Sequence, residues 1–137
     1  MSLVLDCSTT LAWVYSDETT QGVREVFDLV SKSGAWVPGL WRLEVANVLE
    51  MNVRRQRHGA DFRNPTLADL GQLPIRVDSD TDRQAWVDTL RLAERHKLTL
   101  YDAAYLELAV RRSVALATLD EDLRRAASSE KIQLLGK

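Results

Sequence analysis

Cysteine is nearly absent from this chain: Cys7 is the only one in 137 residues. No internal disulfide can form, and a reducing compartment is the simplest setting. Long apolar runs are missing as well. Nothing approaches the roughly 20 apolar residues of a membrane helix, and the opening MSLVLDCS has neither the basic flank nor the apolar length of a secretory signal. A cytoplasmic protein, with no membrane contact, is therefore expected. An excess of positive charge is also lacking. With 18 basic and 20 acidic residues the net charge is −2, which argues against a passive clamp on nucleic-acid phosphates. It leaves room for an enzyme that gathers acids in one pocket. Histidine is scarce, and His58 and His96 stand apart from any ligand pattern, so no zinc site is expected. Repeats, low-complexity tracts and interdomain linkers are lacking too. A single domain, 1–137, with its own hydrophobic core follows.

What the chain does have is alternation. SLVL (2–5), AWV (35–37), IRV (75–77), VALAT (114–118) and a final IQLL (132–135) read as short strands. Longer amphipathic stretches separate them. TTQGVREVFDLVSKSG sets Val23, Val26, Phe27 and Val30 at helical spacing, with Gly34 as its stop. LWRLEVANVLEMNVRRQRHG predicts a long helix with Val45, Val48, Leu49 and Asn52/Val53 near one face and Gly59 closing it. RNPTLADLGQLP predicts a short helix with Asn64 as N-cap and Pro65 at its first position. SDTDRQAWVDTLRLAERHK reads as one helix opened by a capping box from Thr81 to Gln84. TLYDAAYLELAVRRS is apolar on most faces and should be heavily buried. EDLRRAASS gives a last short helix. Such alternation predicts an α/β fold with a central, mainly parallel sheet. In such sheets the working site lies beyond the carboxyl ends of the strands, where strand order reverses.

That rule singles out four acids. Asp6 directly follows the first strand, and Asp120 comes two residues after VALAT. Asp102 lies in the first turn of its helix and Glu44 early in the helix after the second strand. All four can point to one rim, flanked by the hydroxyls of Ser8 and Thr118. Each also has an ordinary structural explanation. Asp102 completes Thr99-x-x-Asp102, a helix-opening pattern; Asp6 fits as a cap, Glu44 as a solvated helix residue, and Asp120, Glu121 and Asp122 as first-turn acids. Those explanations account for each residue singly but not for the shared location. Two carboxylates about 4 Å apart repel by roughly 1 kcal/mol even in bulk water, and by more inside a protein. Protonation or a multivalent cation must compensate. Oxygen ligands without His or Cys suit Mg²⁺ or Mn²⁺, which can activate water in phosphodiester hydrolysis.

The segments LVLDCSTTLAWVYSDE, VPGLWRLEVANVLE, LTLYDAAYLELA and LATLDEDLRRAA resemble, in order and over nearly the whole chain, the PIN-domain ribonucleases. More narrowly they resemble the VapC toxins of toxin–antitoxin pairs. The resemblance implies a three-layer α/β/α sandwich and a metal-dependent endoribonuclease. It implies that Asp6, Glu44, Asp102 and Asp120 are catalytic and hold Mg²⁺ or Mn²⁺, with Ser8 and Thr118 in support. It further implies an RNA substrate, a homodimer and a VapB-type antitoxin partner. No acid of the family's pattern is missing.

Other features compete for attention. VRRQRH (53–58) and AVRRS (109–113) suit phosphate contacts, but as helix C-termini they also suit the dipole. Arg42, two residues before Glu44, is a further substrate-binding candidate. Trp13 and Trp41 fit either partner contacts or core. Cys7 beside Asp6 reads as a small buried thiol rather than a nucleophile. A phosphatase of the haloacid-dehalogenase type would need Asp-x-Asp where Asp6-Cys7-Ser8 stands. A receiver domain would use Asp78 as phosphoacceptor but lacks the acidic pair. A non-catalytic domain that binds RNA or a partner is the remaining alternative.

Overall fold

The computed structural model describes residues 2–137. Five strands form one sheet: β1 (Leu3–Leu5), β2 (Ala35–Val37), β3 (Ile75–Val77), β4 (Ala115–Ala117) and β5 (Leu134–Leu135). All neighbours run parallel in the order β3-β2-β1-β4-β5. Helices α1 (Cys7–Val14), α2 (Gln21–Ser33), α3 (Trp41–Arg54), α4 (Ala60–Gly71), α5 (Thr81–Gln84), α6 (Asp88–His96), α7 (Leu100–Arg112) and α8 (Glu121–Ser129) complete the three-layer α/β/α sandwich. Among the described residues no helix is long and apolar enough to cross a membrane.

Burial explains the sequence pattern. β1 and β4 are central, and every residue in them is buried. That is why both read as unbroken apolar runs rather than as alternation. β3 lies at an edge, where Arg76 and Val77 are exposed. The chain steps outward from β1 to β2 and β3, then returns to place β4 and β5 on the other side of β1. The topological switch therefore falls between β1 and β4, paired in register as Leu3–Ala115, Val4–Leu116 and Leu5–Ala117. The buried helix α7 packs directly on these two strands, with residues 103–109 wholly within the core. Gly34 ends α2 at φ 78°, where a side chain would come within 2.7 Å of the Pro74 carbonyl.

Three local expectations need correction. The chain leaves α3 at Arg54, well before Gly59, and turns at Gln56 with φ 62°. The cause is tertiary. Tyr15 takes a hydrogen bond from Asn52 and pairs with His58, each at 2.8 Å, while Arg57 stacks on the Tyr15 ring. Gly59 instead opens α4, its carbonyl accepting from Phe62 and Arg63. Asn64 and Pro65 thus lie inside α4 rather than at its start, and Pro65 forgoes one helical hydrogen bond. Finally, Thr81 makes no capping box. Its hydroxyl accepts the Gly39 N–H at 2.9 Å and donates to Asp78 at 3.0 Å, and the helix breaks at residues 85–87 into α5 and α6.

The basic AVRRS segment serves the fold. Arg111 grips both oxygens of Asp78, at 3.0 and 2.7 Å, and also pairs with Glu107. Arg112 reaches Asp78 and lies over Trp36. Burial alone would raise the Asp78 carboxyl. The guanidiniums and Thr81 instead hold it below the usual carboxylate range. With its side chain only 1% exposed, Asp78 is a poor phosphoacceptor, and the receiver-type alternative loses its key residue. Removing one partner of such a buried pair strands the other charge. Asp78→Ala should therefore cost roughly 3 kcal/mol in urea unfolding at pH 7. A loss within about 1 kcal/mol, as at an exposed pair, would contradict this account.

Candidate active site

Asp6 is the first residue beyond β1, and its N–H still bonds the Ala117 carbonyl of β4 at 3.0 Å. It sits at the N-cap position of α1, yet its carboxylate caps nothing. Oδ2 instead accepts hydrogen bonds from Ser8 and Thr118, both at 2.7 Å. The same two hydroxyls hold the loop after β4. Ser8 Oγ accepts the Leu119 N–H at 3.0 Å, and Thr118 Oγ1 accepts the Asp120 N–H at 3.1 Å. Asp120 then caps α8 through Oδ1, which accepts the Leu123 N–H at 2.9 Å. The structural and the chemical explanation of this residue are thus compatible, since a cap needs only one of two carboxylate oxygens.

The other two acids arrive on helices. Thr99 caps α7 by accepting the Asp102 N–H at 3.1 Å, and its hydroxyl also favours the charged form of the Asp102 carboxyl. Glu44, in the first turn of α3, accepts a hydrogen bond from Tyr105 at 2.5 Å. Sequence reasoning did not single out Tyr105. Its signal was present: Asp102 and Tyr105, three apart, share a helix face, and a phenol in an apolar helix needs a partner when buried.

Electrostatics tie the four together. Burial raises the Asp6 carboxyl, against the pull of Ser8 and Thr118, and the Asp120 charge raises it further. Glu44 is raised by burial, then by Asp6 and Asp102, with Tyr105 opposing. Asp102 is pushed up to about 6 by burial and by the charges of Asp6 and Asp120, with Asp122 adding to them. Burial and the adjacent acids also raise the Cys7 thiol and the Tyr105 hydroxyl, so Cys7 stays an inert thiol and Tyr105 a donor. Among the described residues no Lys, Arg or His lies within 4.0 Å of the carboxylates of Asp6, Glu44, Asp102 or Asp120, whereas Glu50, Asp78, Glu107 and Glu130 each have such a partner. Arg42 is exposed and lines a groove with Leu67 and Leu70 of α4. Two positions on a helix are about 200° apart, which turns Arg42 away from Glu44. Trp41 belongs to the core, donating to Thr10 at 3.0 Å; Trp13 is half-buried against Phe27.

The donor set is oxygen only. Among the described residues no three Asp, Glu, His or Cys side chains close on a single point, so no dedicated all-protein cage exists. That fits a hard cation held by one or two carboxylates, waters and substrate oxygens, the habit of Mg²⁺.

The sequence profile of the PIN domain matches residues 3–128. The chain belongs to the PIN-domain family. This PIN domain is 28% identical over 123 residues to Ribonuclease VapC3 of Pyrobaculum aerophilum, spanning 90% of this chain and 92% of that one. Its fold resembles PAE2754 from Pyrobaculum aerophilum, with TM-score 0.69 and 21% identity over 92% of this chain and 79% of the other. It also resembles VapBC2 from Rickettsia felis bound to a DNA fragment from their promoter, with TM-score 0.65 and 12% identity over 98% and 97% of the two chains. FitAcB from Neisseria gonorrhoeae gives TM-score 0.55 and 16% identity over 98% and 96%.

Raised carboxyls have a thermodynamic signature. Between the ordinary Asp value of 3.8 and about 6, the folded PIN domain keeps a proton on Asp102 that the unfolded chain has released. Stability should therefore fall as pH rises through that window in chelator-treated protein. Asp102→Asn removes the titrating charge, so it should melt above wild type at pH 7.5 and level with it at pH 4.5. Differential scanning calorimetry at both pH values checks this, and a variant melting below wild type at pH 7.5 would rule it out.

Proposed function

We propose that this PIN domain is an endoribonuclease dependent on Mg²⁺ or Mn²⁺ and acts as the toxin of a type II toxin–antitoxin pair. The observation that carries this reading is the electrostatic coupling of four carboxylates, from four separate segments, with no cation of the chain beside them. Asp6, Glu44, Asp102 and Asp120 would surround the ion, one or two of them holding it directly and the others through its waters. Bound there, a divalent cation supplies an activated water and stabilises the leaving oxygen of a phosphodiester. The chain's own contribution is placement. Ser8 and Thr118 fix Asp6, Thr118 and the cap fix Asp120, and Tyr105 fixes Glu44. The likeness to Ribonuclease VapC3 supports RNA as the substrate.

A VapB-type antitoxin and a second copy of the chain complete the reading. The Rickettsia felis neighbour is a VapBC2 complex. Large apolar side chains left open here, Trp86 at 88% and Leu43 at 76% exposed, are surface of the kind partners cover.

The test is cleavage of a panel of structured and single-stranded RNAs by purified protein with Mg²⁺, Mn²⁺ or chelator. Cuts should require metal and vanish in Asp6→Ala and Asp120→Ala prepared identically. Tyr105→Phe, which frees Glu44 without removing it, should cut roughly tenfold more slowly. Cleavage that survives in both alanine variants would overturn the nuclease assignment.

A further inference from the structure

Residues 118–120 carry one hydroxyl and one acid of the site on three residues between β4 and α8. What holds this loop from behind is Arg124. Its Nη1 donates to the Thr118 carbonyl at 2.7 Å and to the Leu135 carbonyl of β5 at 3.0 Å. The Thr118 N–H in turn bonds that same Leu135 carbonyl at 3.3 Å. Most arginines of the chain pair with a carboxylate; Arg124 pairs with none among the described residues and spends its guanidinium on backbone.

The position of Thr118 matters because its side chain serves two acids. Oγ1 donates to Asp6 and accepts from the Asp120 N–H. A shift of the Thr118 backbone therefore moves Asp6's hydrogen-bond partner and the Asp120 backbone together. The Thr118 carbonyl is the point from which that shift is prevented, and Arg124 is the side chain that grips it. We propose that Arg124 is a positioning residue of the metal site, setting the distance between Asp6 and Asp120 by tying the loop to α8 and β5. The inference rests on the metal-dependent nuclease reading and deepens it. It makes the final strand, remote in sequence from Asp6, part of the site's support.

The experiment compares wild type, Arg124→Met, Arg124→Lys and Arg95→Met. The last removes a guanidinium that pairs with Glu130 on another part of the surface. Two quantities are read without RNA: the affinity for Mn²⁺ by titration calorimetry, and the hydrogen-exchange rates of the Leu119 and Asp120 amides in chelator-treated protein. Arg124→Met, which keeps the length but has no donor, should bind Mn²⁺ at least about tenfold more weakly. Its two loop amides should exchange faster. Arg124→Lys, which retains one donor, should fall between, and Arg95→Met should match wild type.

A folded Arg124→Met with wild-type affinity and exchange would overturn the proposal. So would an equal loss of affinity in Arg95→Met, which would reveal a general effect of destabilisation. If Arg124→Met does not fold, unchanged affinity and exchange in Arg124→Lys overturn it. Wild type that binds no Mn²⁺ would instead sink the metal reading. The exchange rates then decide alone, faster loop amides in the Arg124 variants supporting the positioning role and unchanged ones overturning it.

Discussion

A single carboxylate oxygen joins the two ends of this protein. Oδ2 of Asp6 receives hydroxyls from Ser8, two residues on, and from Thr118, 112 residues away. Those bonds exist only because β1 and β4 pair in register at the switch of the sheet. A slip of one residue would turn the side chains of the slipped strand to the opposite face, and Thr118 would lose Asp6. The same pairing buries both strands completely, which keeps water away from Asp6 and makes its charge costly. Placement, burial and electrostatic tension at the site therefore share one cause, the parallel contact of two three-residue strands.

The fold treats its buried charge in two opposite ways. Asp78 and Glu107 are matched by Arg111 within hydrogen-bond distance, and the cluster fastens α7 to the edge strand. Asp6, Glu44, Asp102 and Asp120 are left to hydroxyls, a phenol and backbone N–H groups. Neutral donors orient a carboxylate without cancelling it. The contrast separates a group that stabilises the chain from one that remains available to an external cation.

Much of this was legible in the sequence, and the failures have physical causes. The apolar runs LVL and ALA identified the central strands because burial on both faces leaves no polar position. Asp6 and Asp120 could be placed because strand ends are where such sheets work. The order β3-β2-β1-β4-β5 was not legible, nor was the end of α3. Residues 55–58 have helical composition, and it is the tertiary contacts of Tyr15 with Asn52, Arg57 and His58 that pull them off the helix path. Thr81 failed as a capping box for a similar reason, since Gly39 and Asp78 compete for its hydroxyl. Arg42 was placed near the acids by sequence distance, whereas helical rotation turns it away. Tyr105 went unremarked within a helix expected to be heavily buried, and only its partner across the layer, Glu44, discloses its task.

Each of the four acids also stands where a helix begins: Asp6 before α1, Glu44 in the first turn of α3, Asp102 in that of α7 and Asp120 before α8. The positive ends of four peptide dipoles thus lie beside the four acids. Each is worth typically 0.3–1 kcal/mol toward a nearby negative charge, so together they offset part of the mutual repulsion. The field among the acids is consequently less negative than a count of carboxylates implies. With a cation seated there, as the proposed function requires, those same helix ends would present a surface that welcomes a phosphate instead of repelling it.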